Sequence, residues 1–396
     1  MIKFEQAFKK VISRAKVLGT ENISVDEAIG SVLAEDIVSK YALPPFNKSV
    51  MDGYAVRYDD LKYIPVKLKC IDIIQAGRVC KKTVNKGECI KIMTGSLLPK
   101  GADSVVMVEN TEADNKNKGL IKIFKKVDYG ENVCLKGENI KKGCIVLKKG
   151  TLIRGPEISI ISALGMSIVR VYRKPTIAVL STGDEIIEPG KNLIYGKIYN
   201  SNGHMLLSLF EEMGIKAQYL GIVKDEEKKL KKAVMRGLKN DILLISGGVS
   251  MGDYDLVPGI LKKCGVKKVF HKVRMKPGKP LFFGVKNNGL VFGIPGNPVP
   301  TYLIYSIFIK PVVDKLMGKK VCLNVAGGIL KKDYRRNPGR KHFVPALYTN
   351  DGSVYPVESY HGSSDIFALT KANGFMVMPA SAGFIRKGQK VEFLFW

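Results

Sequence analysis

The feature that most constrains this chain is a pattern that recurs after Pro175: an apolar run ends in a glycine turn, and a helix-patterned stretch follows. "TIAVLSTGDE" reads as a buried strand ending near Gly183, and "NGHMLLSLFEEMG" as a helix stopped by Gly214. "KAQYLGIV" reads as the next strand and "DEEKKLKKAVMRGLKN" as the next helix. "DILLISGGVS" and "LVFGIPGNP" repeat the strand and turn, the second before a long helical pattern, "PTYLIYSIFIKPVVDKLMG". Continuous apolar runs imply strands covered on both faces, and helices between them imply parallel connections. A mostly parallel, doubly wound α/β sheet is therefore predicted over about 174–319.

The flanking text differs. At 396 residues the chain exceeds one ordinary core, so two to four domains are expected. Residues 1–40 carry two helical patterns, an apolar stripe of Phe4, Ala7, Phe8, Val11, Ile12 and Ala15 and then "SVDEAIGSVLAEDIVS". Pro44-Pro45 forces extension, and 62–150 is a series of short β-like runs set off by Gly, Pro and Asn. "GPEISIISALG" reads as a compact helix, and 320–396 as a small closing β domain or barrel. No apolar run approaches a membrane span, and the N-terminus lacks the pattern of a secretory signal. Seven scattered cysteines without a Cys-x-x-Cys pair suit free thiols in a reducing cytosol, so a cytoplasmic protein is expected.

The formal net charge is +28. Nucleic acid, a small polyanionic ligand and a lysine-rich, heat-resistant surface compete to explain it. Lysine is spread along the chain and is not interleaved with aromatic residues as a single-strand groove requires, so no nucleic-acid partner is expected.

In an open α/β sheet, ligands bind outside the carboxyl ends of the strands. Four stretches fall at that edge: "STGDE" (Ser181, Thr182, Gly183, Asp184, Glu185), "GIVKDEE" (with Asp225), "SGGVSMGDYD" (Gly247, Gly248, Ser250, Asp253, Asp255) and "GIPGNP" (Pro295, Gly296, Asn297, Pro298). Each glycine turn alone is ordinarily structural, but four on one edge suit phosphate or another oxyanion. Converging carboxylates repel unless a cation or proton holds them, which suggests Mg²⁺ shared with a substrate phosphate. Helix N-capping accounts equally well for Asp225 and Asp253. The stretch "VRMKPGKPLFFG" places Lys276 and Lys279 around Pro-Gly. It reads either as a lysine-rich surface turn or as a stiff oxyanion clamp. There is no G-x-S-x-G, no P-loop, and no metal-binding spacing among His204, His271, His342 and His361; His271 reads as structural.

"PPFNKSVMDGYAV", "KIMTGSLLPKGADSVVMVE", "STGDE", "SGGVSMGDYD", "MKPGKP" and "GIPGNPV", in that order, are similar to the molybdopterin molybdenumtransferase family, which includes the gephyrin E domain. The resemblance covers nearly the whole chain. It implies insertion of molybdate, or tungstate, into the dithiolene of adenylylated molybdopterin, with Mg²⁺ required and AMP released. It also implies an elongated subunit of four parts: a mixed domain from 1–42 with 134–173, a β-rich insertion at 43–133, the α/β domain at 174–319 and a β-barrel at 320–396. A homodimer is implied, each cleft lying between the α/β domain of one subunit and the insertion of the other. By the same resemblance, Lys276, Lys279, Arg340 and Ser364 hold molybdate, with Pro280 beside them. Asp184, Glu185 and Asp255 serve the pterin, the adenylate phosphate or Mg²⁺, with Asp184 and Glu185 as metal ligands. Asp52 and Thr94 contribute from the insertion, and the turn Pro295–Pro298 shapes the ligand face. Two positions depart from the family pattern: Asn139 stands where an acidic residue is common, and Lys136 alone stands where arginines are common. A dimeric scaffold without transferase activity is the alternative; it would tolerate a degraded cleft, and the cleft motifs here are intact.

Overall fold

A computed structural model describes residues 1–114, 117–249 and 256–396. The contacts group the chain into two compact units. One comprises Met1–Glu35, Gly150–Ile158 and Ser167–Trp396; the other comprises Asp36–Lys149 and Ser159–Met166.

The first unit is built on a six-stranded sheet. In chain order its strands are β1 (Ile177–Thr182), β2 (Gln218–Val223), β3 (Ile242–Ser246), β4 (Lys267–His271), β5 (Phe282–Lys286) and β6 (Gly289–Ile294). They lie in the order β2-β1-β3-β6-β5-β4. β2, β1, β3 and β6 are mutually parallel, with Ser181 opposite Ser246 and Ser246 opposite Ile294. Every residue of β1 and β3 is buried, as unalternating apolar runs require. The period of two sorts them between two cores. Ile177, Val179, Ile242 and Leu244 face the helices Phe4–Arg14 and Ser201–Glu211 and the long helix after Asn297. Ala178, Leu180, Leu243 and Ile245 face Glu227–Gly237 and Val257–Lys263. This is the doubly wound arrangement that the sequence predicts.

Three details depart from the sequence expectations. β5 pairs antiparallel with β6 and β4, so the sheet is mixed at one edge. The link between β5 and β6 is only Asn287-Asn288, far too short for a parallel crossover, and Asn287 takes the left-handed turn conformation. The long helix is not uniform: Pro298–Ile304 and Lys310–Leu316 flank a π-helical turn at Tyr305–Ile309. Pro311 lacks an N–H and its ring crowds the preceding turn, and the widened turn lies directly before it. The helix expected in "SVDEAIGSVLAEDIVS" is absent beyond a 3₁₀ turn at Val25–Glu27. Val25, Ala28, Val32, Leu33 and Ile37 are buried with helical spacing, yet Gly30 turns left-handed and the chain makes β-bridges instead.

The same unit ends in a closed five-stranded barrel. Lys341–Tyr348, Ser353–Pro356, Val325–Leu330, Lys390–Phe395 and Gly374–Met378 pair in sequence, and the last returns to Lys341–Tyr348. Closure leaves no free edge. Thr20–Ser24 pairs antiparallel with Ile168–Tyr172, joining segments far apart in sequence.

The second unit carries a six-stranded sheet ordered Ser104–Met107, Gly53–Val56, Glu88–Ile92, Val66–Ile74, Leu120–Ile123 and Thr111–Ala113. It is antiparallel except where Val66–Ile74 meets Glu88–Ile92. Its two faces have separate cores, with Tyr54 and Val56 in one and Ala55 in the other.

Candidate anion-binding site

The loop around Pro277-Gly278 is anchored from both sides. Met275–Lys276 forms a short strand parallel to the barrel strand Lys341–Tyr348, with Met275 opposite Lys341 and Lys276 opposite His342. Gly278 has a φ of +94°, a backbone conformation that strains any residue bearing a Cβ, so glycine is favoured there. The Val273 N–H donates to the Lys279 carbonyl at 2.9 Å and closes the loop. Met275, Pro277 and Gly278 are buried while Lys276 and Lys279 are exposed. The loop is therefore an anchored base carrying two exposed lysine side chains.

A second loop from the barrel, "YRRNPGRKHF", faces it. The Arg336 guanidinium donates to the Arg340 carbonyl and to the Pro379 carbonyl, each at 2.6 Å. The Gly339 N–H donates to the Ala380 carbonyl at 2.7 Å. These bonds hold the Arg340 segment in place. Between the loops lies a cavity of about 610 Å³. Lys276, Lys279, Arg335, Arg336, Arg340 and His342 line it, with Tyr334, Tyr360 and Ser363. Among the described residues, Lys276, Lys279, Arg336 and Arg340 form no ion pair with a carboxylate. Arg335 stacks on Phe384. By contrast, a barrel cavity of about 580 Å³ is lined by both Lys341 and Glu392. Clustered cations without a carboxylate partner among the described residues attract a small dianion, and the first cavity gathers several of them.

The field is felt by its neighbours. His342 is 4% exposed, and burial together with Arg336, Lys276 and Arg340 pushes its pKa down to about 3. Burial and the nearby Arg340 also lower the Arg336 pKa.

The glycine turns assemble at the carboxyl edge of β1, β2, β3 and β6. Thr182 Oγ1 donates to Asp225 Oδ1 at 2.6 Å, and the Asp225 N–H reaches Asp184 Oδ1 at 3.4 Å. Gly247 is left-handed, and a Cβ there would come within 2.1 Å of the Thr182 carbonyl. Gly248 follows, also left-handed. The Ser181 hydroxyl donates to Asn200, which continues to Tyr219 and on to Glu188, a network that sequence reading missed. Asn202 Nδ2 donates to the Gly296 carbonyl at 2.7 Å, fixing the Pro295–Pro298 turn, and Asn297 Nδ2 donates to Ser363 Oγ at 2.7 Å. Ser363 thus lies in the cavity wall, while Ser364, the residue the resemblance implied, is exposed and not part of that wall. Pro280 and Pro295 do line it. Ser250, Asp253 and Asp255 lie outside the described residues.

The Glu185 carboxylate lies over Gly183, where a Cβ would meet Glu185 Oε2 at 2.7 Å. Among the described residues, no three His, Cys, Asp or Glu side chains converge as a metal site. Asp184 and Glu185 each carry hard oxygen donors at this edge.

In the second unit, Asp52 Oδ1 accepts from Thr94 N–H at 2.6 Å and from Thr94 Oγ1 at 2.7 Å. The two residues flank adjacent strands, since Gly53 pairs with Ile92. The Thr94 bonds hold the Asp52 carboxyl below its usual range, so this exposed carboxylate stays ionised. Asn139 and Lys136 are exposed in the same unit.

Arg336 and His342 escaped the sequence reading. The available signal was the basic run around Pro338-Gly339, which mirrors the Lys-Pro-Gly-Lys loop.

Comparison with known proteins bears on all of these residues. Residues 2–165 match the MoeA N-terminal region (domains I and II), 178–315 a probable molybdopterin binding domain, and 328–396 the MoeA C-terminal region (domain IV). A molybdopterin molybdenumtransferase of Staphylococcus epidermidis is 35% identical over 99% of this chain and 94% of its own length. One from Bacillus subtilis is 33% identical with the same coverage. The crystal structure of a molybdopterin biosynthesis MoeA protein from Pyrococcus horikoshii superposes with a TM-score of 0.84 at 31% identity, covering 100% of this chain and 99% of that one.

Proposed function

The chain belongs to the molybdopterin molybdenumtransferase family, and from that premise we propose that it inserts molybdenum into adenylylated molybdopterin and releases AMP. It is a transferase of molybdenum cofactor biosynthesis. The observation that carries the finer reading is the cavity of about 610 Å³ whose cations meet no carboxylate among the described residues. Molybdate is a tetrahedral dianion, and several cationic donors carried on anchored loops can hold it while its oxygens are exchanged for the dithiolene sulfurs.

In this proposal Lys276, Lys279 and Arg340 hold the oxyanion. Ser181, Thr182, Gly183, Asp225, Gly247, Gly248 and the Pro295–Pro298 turn present the carboxyl edge of the sheet to the pterin and its phosphates. Asp184 and Glu185 would hold Mg²⁺, which neutralises phosphate charge as the adenylate bond breaks. The protein would work as a cytoplasmic homodimer in which Asp52, fixed by Thr94, serves the site of the other copy. No helix among the described residues is long and apolar enough to cross a membrane.

The test is direct. Purified protein given adenylylated molybdopterin, molybdate and Mg²⁺ should release AMP in step with molybdenum incorporation. Incorporation without AMP, or neither, would overturn the proposal.

A further inference from the structure

The second unit sets two of the chain's seven cysteines against each other. Cys70 lies on Val66–Ile74 and Cys89 on Glu88–Ile92, and the two are register partners in the parallel ladder between those strands. Both belong to the core that holds Tyr54 and Leu68, so they project from the same face of the sheet. Neighbouring strands run about 4.8 Å apart, inside the range of Cα separations that a disulfide spans. Both are free thiols, and their side chains are hydrogen-bonded to each other. The ladder slips register directly after Cys70, so regular pairing does not hold the backbone on that side of the pair. Cys80 packs against the core of the opposite face, and Cys144 and Cys322 are exposed.

We propose that Cys70 and Cys89 form a thiol–disulfide exchange site, with Cys70 the attacking thiol, Cys89 the resolving thiol and a small-molecule disulfide the substrate. The inference concerns the second unit alone and does not depend on the reading of the cation cavity.

The surroundings divide the roles. Cys70 is half-buried and Cys89 fully buried, so an arriving disulfide meets Cys70 first. The hydrogen bond from the Cys89 thiol lowers the Cys70 pKa by more than burial raises it, and the Lys91 N–H adds to the lowering. The same hydrogen bond, followed by burial, raises the Cys89 pKa, so Cys89 keeps its proton while the Cys70 sulfur is free. Cysteines packed only as small apolar groups need no such inequality.

The exchange balances in two steps. The Cys70 thiolate attacks one sulfur of the substrate R–S–S–R; that bond breaks, Cys70–S–S–R forms and RS⁻ leaves. Cys89 then attacks the Cys70 sulfur; the mixed disulfide breaks, the Cys70–Cys89 bond forms, and the Cys89 proton departs with the second thiol as RSH. The protein gives up two electrons, which reduce the substrate to two thiols. Capping Cys70 in the first step removes the negative charge that held the Cys89 proton, so the second step opens only after the first. In a reducing compartment such a bridge is transient rather than a permanent staple.

The experiment uses the full chain, reduced and freed of reductant, with oxidised glutathione as the probe near pH 7. The reaction is quenched with acid, free thiols are alkylated, and the chain is digested with trypsin without reduction. The expected product is a cross-link between CIDIIQAGR (70–78) and GECIK (87–91), which dithiothreitol removes. Glutathione on Cys70 should stay below about a tenth of the bridged form in the parent, because the resolving thiol is already in contact. In Cys89→Ser that adduct should rise at least about tenfold and become the main product at Cys70. In Cys70→Ser, Cys89 should stay unmodified. Should a variant fail to fold, the cross-link map of the parent decides alone. A lasting glutathione adduct on Cys70 of the parent, or a bridge from Cys70 to Cys80, would overturn the inference. So would a Cys70 that stays unreacted in the native chain while Cys144 and Cys322 react to completion.

Discussion

Lys279→Ala is the sharpest perturbation of the proposed site. The Lys279 ammonium is exposed, and the loop beneath it is anchored through its backbone, so alanine removes a charge without disturbing the base. A unit charge about 4 Å from another is worth about 1 kcal/mol in water and about 4 kcal/mol at the effective dielectric of a protein surface, and a dianion doubles both. From that gross attraction must come the hydration of the ammonium and the ordering of a flexible side chain, which costs up to about 2 kcal/mol. The net expected for one charge-assisted bond is about 1.5–3 kcal/mol, or a ten- to hundredfold weaker grip on molybdate. Lys276→Ala should behave alike. The assay is AMP release against molybdate concentration at saturating pterin, paired with equilibrium dialysis of molybdate alone. The half-saturating molybdate concentration should rise in both variants while half-saturating pterin holds. Raising ionic strength to about 0.5 M should shrink the difference between parent and variants, because screening acts on an open cavity. If both variants keep the parent's half-saturating molybdate concentration, the clamp assignment is wrong.

Three further outcomes are expected. Glu185→Gln keeps shape but loses charge, so activity should fall and the Mg²⁺ needed for half-maximal rate should rise; turnover by the parent without divalent cation would refute the metal assignment. At the molybdate concentration that half-saturates the parent, an Asp52→Ala homodimer and a Lys279→Ala homodimer should each show little activity, but heterodimers of the two should regain about half the parental activity, since one of two shared sites stays intact; no recovery would place both residues in the same chain's site. Asp241 is partly buried, which works against its ionisation, yet bonds from Arg173 at 2.9 and 3.0 Å and from Thr176 hold its pKa below the usual range. A carboxyl depressed in the folded state stabilises above its unfolded pKa and ceases to as pH falls through its folded one. Asp241→Asn should therefore cost about 1–3 kcal/mol in urea denaturation near pH 7, and the gap should close below about pH 4; a gap independent of pH would assign the loss to packing.

What the sequence discloses, and what it conceals, follows from how local each feature is. The strands Ile177–Thr182, Ile242–Ser246 and Gly289–Ile294 are legible because burial on both faces writes an unbroken apolar run into consecutive residues. Their glycine turns are legible for a related reason: Gly247 sits against the Thr182 carbonyl, and no other residue fits. The stretch 24–39 misleads because Val25, Ala28, Val32 and Leu33 are buried at helical spacing, although bridges to Leu152 and Val171 bury them instead. A period in the sequence reports which residues are covered, not what covers them. The site divides along the same line. Lys276 and Lys279 announce themselves through Pro-Gly between them, whereas His342 gains its meaning from Lys276, sixty-odd positions away in sequence and adjacent only across a ladder.

That ladder has a consequence for how the chain can be divided. Similarity to known families divides this region into two pieces, residues 178–315 and 328–396. Yet Met275–Lys276 is hydrogen-bonded edge to edge with Lys341–His342, so the seam between the pieces runs through the cation cavity itself. The boundary between the two matched pieces and the boundary of the cavity therefore do not coincide. A graft of the α/β segment alone would carry both lysines and still bring half a site, and a barrel borrowed from a relative would have to match the incoming strand as closely as a lock matches its own bolt.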